Sequence, residues 1–492
     1  MISLIDRAYT FENRTAILSD GKKYSYKELI AASAKVASNL LGGESDLEEA
    51  RICYLVPPSF EYTAIQWGIW RAGGIAVPLC VLHPLPSISY VLEDTEANIV
   101  IVHSDYEQFL KPLEKTLGIT IVALKEVLEG LSSSLPDISK ERRAMILYTS
   151  GTTSKPKGVV TTHRNIEAQI TTLTNAWEWS KDDHILNILP LHHVHGIINV
   201  MSCALWSGAC CEFQPKFDAE KVWKAISSGR LTLFMAVPTI YYKLIAFWEA
   251  SSKAQQSVFS EAASGLRLMV SGSAALPVSV LEKWEEITSQ RLLERYGMTE
   301  IGMGLSNSYR GERRPGHVGL PLPGVQMRLV GADNQGVASG QAGEIQIKGA
   351  SVFKEYWQNE EATKKAFTED GWFITGDIAQ MNRGLYKILG RDSVDIIKSG
   401  GYKISALEIE DVLRKQTNID DCAVVGLPNE EYGELVAACL ISQKSDIDFE
   451  EVTRQLKTQL PGYKIPRKYI LRADLPRNVL GKVTKNKLKE YF

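Results

Sequence analysis

The stretch MILYTSGTTSKPKGVV, residues 145–160, constrains this chain more than any other. Met145, Ile146 and Leu147 read as a buried strand, and beyond Tyr148 the chain passes into a dense succession of Ser, Thr, Gly, Lys and Pro. A strand running straight into such a loop has the layout of a phosphate cradle. Gly151 and Gly158 remove side chains where backbone must come close to a ligand. Thr149, Ser150, Thr152 and Thr153 offer hydroxyls, and Lys155 and Lys157 offer positive charge. These are the properties a triphosphate needs. The Walker loop is excluded on spacing: it requires Gly, four residues, then Gly-Lys-Ser/Thr, whereas here six residues separate Gly151 from Gly158 and Val159 follows.

At 492 residues the chain exceeds the roughly 250–300 at which a single core stops growing, so at least two domains are expected. A net charge of −3 and a pI near 6.3 argue against a nucleic-acid partner, which would need a basic face. No segment reaches the roughly 18 apolar residues of a membrane span; residues 196–211 come nearest and are interrupted by Asn199, Ser202 and Ser207. The opening MISLIDRAYTFENRTAI holds Asp6 and Glu12 and no long apolar core, so neither a secretory signal nor a transit peptide is expected. The cysteines, seven in number, lie in apolar runs without metal spacing and read as small core residues in a reducing, cytoplasmic setting.

Along the chain, residues 24–41 carry apolar positions every three or four residues, as on an amphipathic helix. ARICYLVPP and GIAVPLC then read as buried strands around a helical pattern at 60–72, and ANIVIVHS and TIVAL repeat the theme. Alternation of this kind implies an α/β architecture with largely parallel sheets flanked by helices. HILNILPLHHVHG brings a strand to a turn holding His192, His193 and His195; with no Cys or acidic ligand at metal spacing nearby, zinc is not expected there. LTLFMAVPTIYYKLI, LRLMVSGSAALP and LLERYGMTEIG each run strand first. Ser405 to Glu408 spell a capping box, with Ile404 and Ile409 placed for a hydrophobic staple, and the last hundred or so residues read as a small α+β domain.

These motifs together resemble the adenylate-forming superfamily of acyl-CoA synthetases, luciferases and peptide-synthetase adenylation domains. Residues 148–158 match its signature loop, except that Ser154 stands where the family usually has Gly. The resemblance implies a large N-terminal domain, residues 1–391, that binds ATP and the acid, and a small mobile C-terminal lid, residues 392–492. It also implies Mg²⁺, with ATP and coenzyme A as co-substrates of a small carboxylic acid, and it fixes no oligomeric state. In the family's terms Thr149, Ser150, Gly151, Thr152, Thr153 and Lys157 hold phosphates, and Gly272 and Ser273 lie against adenine. Tyr296 stacks on adenine, Thr299 bonds the α-phosphate, Glu300 holds Mg²⁺, and Asp377 and Arg391 reach the ribose. The hinge falls at Asp392 or Ser393. Lys482 matches the adenylation lysine, presented by a turn with Pro476 and Gly481, and Ser399, Gly400 and Gly401 match a glycine turn beside the pantetheine channel.

His193 matches the position facing the acyl carboxylate. Arg295 bears on which acid is used, because many relatives carry a small residue there. A buried guanidinium costs several kcal/mol unless it meets an anion. A second carboxylate on the substrate would supply one through two parallel hydrogen bonds, and LLERYGMTE is similar in particular to the malonyl-CoA synthetases. An internal salt bridge is the other way to satisfy Arg295. The expected function is ligation of malonate or a similar dicarboxylate to CoA through an acyl-AMP. The alternatives are a medium-chain or aromatic acid, or loading of a carrier protein, the latter weakened by the lack of a carrier domain after Phe492.

Overall fold

The structure is a computed structural model that describes residues 2–130, 134–149, 155–400, 402–443, 447–478 and 481–492. Strands Arg51–Leu55, Ile75–Pro78, Ile99–Val102 and Thr120–Ala123 pair in parallel. Parallel neighbours cannot be joined by a tight hairpin, and helices Phe60–Arg71, Leu85–Thr95 and Glu107–Leu117 make the crossovers. Strand Arg143–Thr149 joins this sheet beside Ile75–Pro78 and returns as the antiparallel strand Lys157–Thr162, pairing Thr149 with Lys157 and Tyr148 with Gly158. The glycine-rich loop therefore connects two antiparallel neighbours. Its residues Ser150, Gly151, Thr152 and Thr153 lie outside the described residues, as does Gly401.

A second sheet runs through His184–Asn187, Cys210–Phe213, Leu233–Ala236, Leu268–Ser271 and Leu293–Met298 in parallel, with Thr15–Ser19 joined to it from the start of the chain. Helices Tyr26–Leu41 and Phe60–Arg71 are shared between the two sheets. Leu29, Val36, Trp67 and Trp70 from these helices belong to one core with Ile52 and Met145 of the first sheet and Ile185, Leu233 and Val270 of the second. Ten of the twelve residues of Phe60–Arg71 are buried, which explains why its sequence is apolar on every side. Gly68 lets the two helices touch, since a Cβ there would sit 2.4 Å from Val36 Cγ1.

Of the remaining two sheets one is antiparallel throughout and the other is antiparallel except for strand Lys468–Arg472, which runs parallel to Gly433–Ile441, so the expectation of largely parallel pairing holds only for the first two. Val325–Val330, Ala342–Gly349, Phe373–Asn382 and Leu385–Arg391 form a four-stranded sheet, and its Ile345, Ile347 and Phe373 pack against Ile301 and Leu305. The last sheet holds Ile396–Ser399, Tyr402–Ser405, Asp421–Asn429, Gly433–Ile441 and Lys468–Arg472, with separate apolar clusters around Val424 and Val425 on its two faces. This is a mixed α/β chain with a large N-terminal and a small C-terminal part. Ser405 caps helix Ala406–Leu413 by accepting from the Glu408 N–H, but the reciprocal half of the expected capping box is absent. The Glu408 carboxylate instead takes the Lys464 ammonium at 2.7 Å. Among the described residues no helix is long and apolar enough to cross a membrane.

Candidate active site

In the second sheet the neighbouring strands His184–Asn187, Leu233–Ala236, Leu268–Ser271 and Leu293–Met298 all point the same way. Their C-terminal ends therefore share one edge, the edge at which open α/β sheets bind ligands. The chain leaving them delivers His193 and His195, Thr239, Ser273, and Thr299 with Glu300 to the wall of one cleft of about 2340 Å³. Thr149 and Lys157 from the hairpin, Arg391 from the four-stranded sheet and Lys482 from the C-terminal part complete the wall.

Arg295 is 5% exposed, and strand alternation sends its neighbour Glu294 to the opposite face. Glu294 accepts from the Gly316 N–H at 2.9 Å and is pushed up by burial to about 8, so it is not the counter-ion of Arg295. Among the described residues Arg295 has no carboxylate partner. Its Nη2 meets only Ser273 Oγ at 3.4 Å, its Nε has no partner, and burial pulls its pKa down to about 9. The internal salt bridge is thus not found. Gly272 leaves the room in which the guanidinium lies, since a Cβ there would be 2.4 Å from Arg295 Cζ. Ser273 holds a left-handed backbone at φ 69°, and its Oγ is 3.1 Å from His195 Nδ1. Gly272 and Ser273, expected against adenine, directly touch the arginine.

The three histidines follow the strand His184–Asn187. His195 opens an eight-residue π-helical stretch, His195–Ser202, which the sequence pattern does not distinguish from an ordinary apolar helix; such stretches are rare and concentrate at functional sites. His192, His193 and His195 each keep a buried Nε2 without a partner among the described residues. His193 is lowered to about 3, by burial first and then by the nearby positive charge of Lys482, so it faces the cleft as neutral imidazole. No Cys or acidic ligand stands at metal spacing beside these histidines in the sequence, but the fold brings a thiol to them from a distant turn. Cys80 and His83, on the turn after strand Ile75–Pro78, come together with His192 so that one ligand atom from each lies within 4.8 Å of the others.

In the four-stranded sheet, register opposes Asp377 to Arg391, and the Tyr296 hydroxyl donates to Asp377 Oδ2 at 2.6 Å. Burial raises the Asp377 carboxyl, against the pull of Tyr296 and Arg391. Glu300 is 6% exposed and has no ion-pair partner among the described residues. The Tyr356 hydroxyl donates to its Oε1 at 3.1 Å, and burial raises its pKa. No local signal marks Tyr356 in the sequence, because it lies 56 residues from Glu300; its ring also carries the Lys157 ammonium at 4.9 Å.

Lys482 enters from the C-terminal part. Asn478 builds its turn, accepting from the Lys482 N–H at 3.0 Å on Oδ1 and from the Gly481 N–H at 2.9 Å on its carbonyl. Gly481, at φ 76°, fits closely against Thr239 of helix Pro238–Ala250, where a Cβ would be 2.9 Å from Oγ1. Lys482 is exposed in the cleft, and its pKa is depressed, first by the desolvation its protein surroundings impose and then by Arg295, with Asp377 opposing. Ser399 and Gly400 are not brought to this cleft. They belong to the hairpin of the C-terminal sheet, where the Gly400 N–H donates to the Tyr432 carbonyl at 2.8 Å. Asp392 and Ser393 follow directly on the strand ending at Arg391, and Asp392 pairs with Lys398 at 3.0 Å.

Comparison with protein families matches residues 4–357 to the AMP-binding enzyme family and residues 408–482 to the AMP-binding enzyme C-terminal domain. The chain belongs to the AMP-binding enzyme family. This family member is 43% identical to the mitochondrial malonate–CoA ligase of Xenopus laevis, an alignment covering 100% of this chain and 92% of the relative. The crystal structure of ATP-bound MatB from Rhodopseudomonas palustris superposes with a TM-score of 0.92 at 33% identity, covering 100% of this chain and 99% of that one. A malonyl-CoA ligase ternary product complex with methylmalonyl-CoA and AMP bound gives 0.71 at 32% identity, covering 97% and 100%. The large and small parts described above are those of adenylate-forming enzymes.

Proposed function

We propose that this chain is an AMP-forming acid–CoA ligase whose acid is malonate or a similar small dicarboxylate. The observation that carries the reading is Arg295: a buried guanidinium over Gly272, without an anionic partner among the described residues, beside Ser273 and the neutral His193 and His195. One carboxylate of a dicarboxylate would pair with it and repay its desolvation, which a fatty tail would leave unrelieved. The other carboxylate is then free to react. Naming of the Xenopus laevis relative as a malonate–CoA ligase supports the same acid.

In the first step a carboxylate oxygen attacks the α-phosphorus of ATP, forming the acyl–O–P bond as the bond to pyrophosphate breaks. Positioning and charge stabilisation are the protein's part in such a transfer. Lys482 supplies charge at the α-phosphate and the carboxylate, and Lys157 and the hairpin loop hold the outgoing phosphates. Thr299 bonds the α-phosphate, Tyr296 flanks the adenine, and Asp377 with Arg391 takes the ribose. The residues present fit Mg²⁺: Glu300 is a buried carboxylate with no cation partner among the described residues, and such oxygens suit a hard cation. When bound, Mg²⁺ neutralises phosphate charge.

In the second step the CoA thiolate attacks the acyl carbon to form the thioester, and the acyl C–O bond breaks so that AMP leaves with the oxygen that came from the carboxylate. For this we propose that residues 392–492 turn about Asp392 or Ser393, withdrawing Lys482 and bringing Ser399, Gly400 and Gly401 to the thiol's path. The present arrangement, with Lys482 in the cleft and Ser399 outside it, fits the first step, and the superposition on ATP-bound MatB supports this. All seven cysteines are free, which supports the reducing, cytoplasmic setting proposed for the reaction. The test is pyrophosphate release from purified protein with malonate, butyrate or octanoate, with and without CoA, together with Arg295→Ala. Malonate is expected to be preferred and to lose its advantage in the variant. Equal use of octanoate, or unchanged malonate turnover in Arg295→Ala, refutes the dicarboxylate reading.

A further inference from the structure

Cys80, His83 and His192 form a cluster that the ligation chemistry does not use. The turn after strand Ile75–Pro78 supplies Cys80 and His83 three residues apart, and the turn after strand His184–Asn187 supplies His192. The Cys80 sulfur and one nitrogen from each imidazole lie within 4.8 Å of one another, and the two rings have centroids 5.6 Å apart. Cys80 is 3% exposed and His192 is 8% exposed, and the His192 Nε2 is buried without a partner among the described residues.

The His83 N–H donates to the Cys80 carbonyl at 3.1 Å, which closes the turn carrying the thiol and the first imidazole. Tetrahedral zinc with one sulfur and two nitrogens needs ligand atoms about 3.3–3.6 Å apart, given bond lengths of about 2.3 and 2.0–2.1 Å. Reaching that spacing from within 4.8 Å requires the two imidazoles to turn toward the thiol. One soft and two borderline ligands suit zinc-class ions and not Mg²⁺ or Ca²⁺.

We propose that Cys80, His83 and His192 bind one Zn²⁺ ion, with the fourth position facing the cleft, whose wall includes Cys80, Leu82 and His192. The ion fastens the turn of the first sheet to the turn of the second that carries His193. It is distinct from the Mg²⁺ position at Glu300, and it stands whether or not malonate is the substrate.

Titration of the metal-free full chain with Zn²⁺ by calorimetry, and with Co²⁺ by absorbance, tests it without turnover. One equivalent of Co²⁺ is expected to give a near-ultraviolet thiolate-to-metal charge-transfer band that one equivalent of Zn²⁺ abolishes. Cys80→Ser is expected to remove the band. His83→Asn, which leaves the thiol in place, is expected to weaken Zn²⁺ binding at least about tenfold. Circular dichroism of each variant confirms that it is folded. Binding of Co²⁺ without the band, parental Zn²⁺ affinity in both folded variants, or no stoichiometric binding by the parent overturns the proposal.

Discussion

Replacing Gly272 by alanine separates the placement of Arg295 from the folding of the sheet that carries it. The new Cβ would stand 2.4 Å from the guanidinium carbon and Nε and 2.8 Å from Cδ. Carbon atoms in contact sit at about 3.5 Å or more, so the guanidinium must retreat by about 1 Å. The atoms that move are the end of a flexible side chain, so the domain should keep its stability. A bidentate carboxylate pair does not tolerate such a shift, and a misplacement of about 1 Å costs about 10²-fold in rate, or roughly 2.7 kcal/mol. The assay is kcat/KM for malonate by pyrophosphate release, alongside ATP affinity and thermal midpoint. Gly272→Ala is expected to lower kcat/KM about 10²-fold with ATP affinity and midpoint unchanged. Adding Gly272→Ala to Arg295→Ala should cost less than about 0.5 kcal/mol more, because the group that would be displaced is already gone. Unaltered malonate kinetics in Gly272→Ala, or additivity in the double variant, would refute the reasoning. An equal loss of ATP affinity would instead return Gly272 to the adenine side, where the family resemblance puts it.

Lys482→Ala should lower acyl-AMP formation about 10²–10³-fold while sparing ATP binding, as removal of one aimed donor does; an unchanged burst of acyl-AMP removes Lys482 from the chemistry. His163 is buried against Trp70 and lowered to about 3, chiefly by burial. The unfolded chain therefore binds the proton first as pH falls below about 6.5, and stability present at neutral pH is progressively lost down to about pH 3. From this residue alone the loss at pH 5 is about 2 kcal/mol, and His163→Gln should flatten the pH dependence of the urea midpoint by that amount; an unchanged slope contradicts it. Trp67, fully buried in the helix between the two sheets, should cost about 3–5 kcal/mol on replacement by alanine, and a urea midpoint within error of the parent would deny that the sheets share one core.

Features built by residues adjacent in sequence are legible in the residues themselves. The strand at 145–147, the loop flanked by Thr149 and Lys157, Pro238 opening a helix and Ser405 capping another all follow from local chemistry, because capping, turns and periodicity act over a few residues. The order of the chain also tells that parallel strands need helical crossovers. What the sequence does not carry is company between distant residues. Arg295 announces a charge in need of an anion, but that Glu294 turns away from it, and that Gly272 makes its bed, depends on sheet alternation and on two strands lying side by side. Tyr356 on Glu300, Thr239 beneath Gly481, and Cys80 with His83 beside His192 have the same origin. Chemistry of single groups is written in the residues; which groups meet is decided by packing, since a buried contact is fixed by the whole core that closes around it.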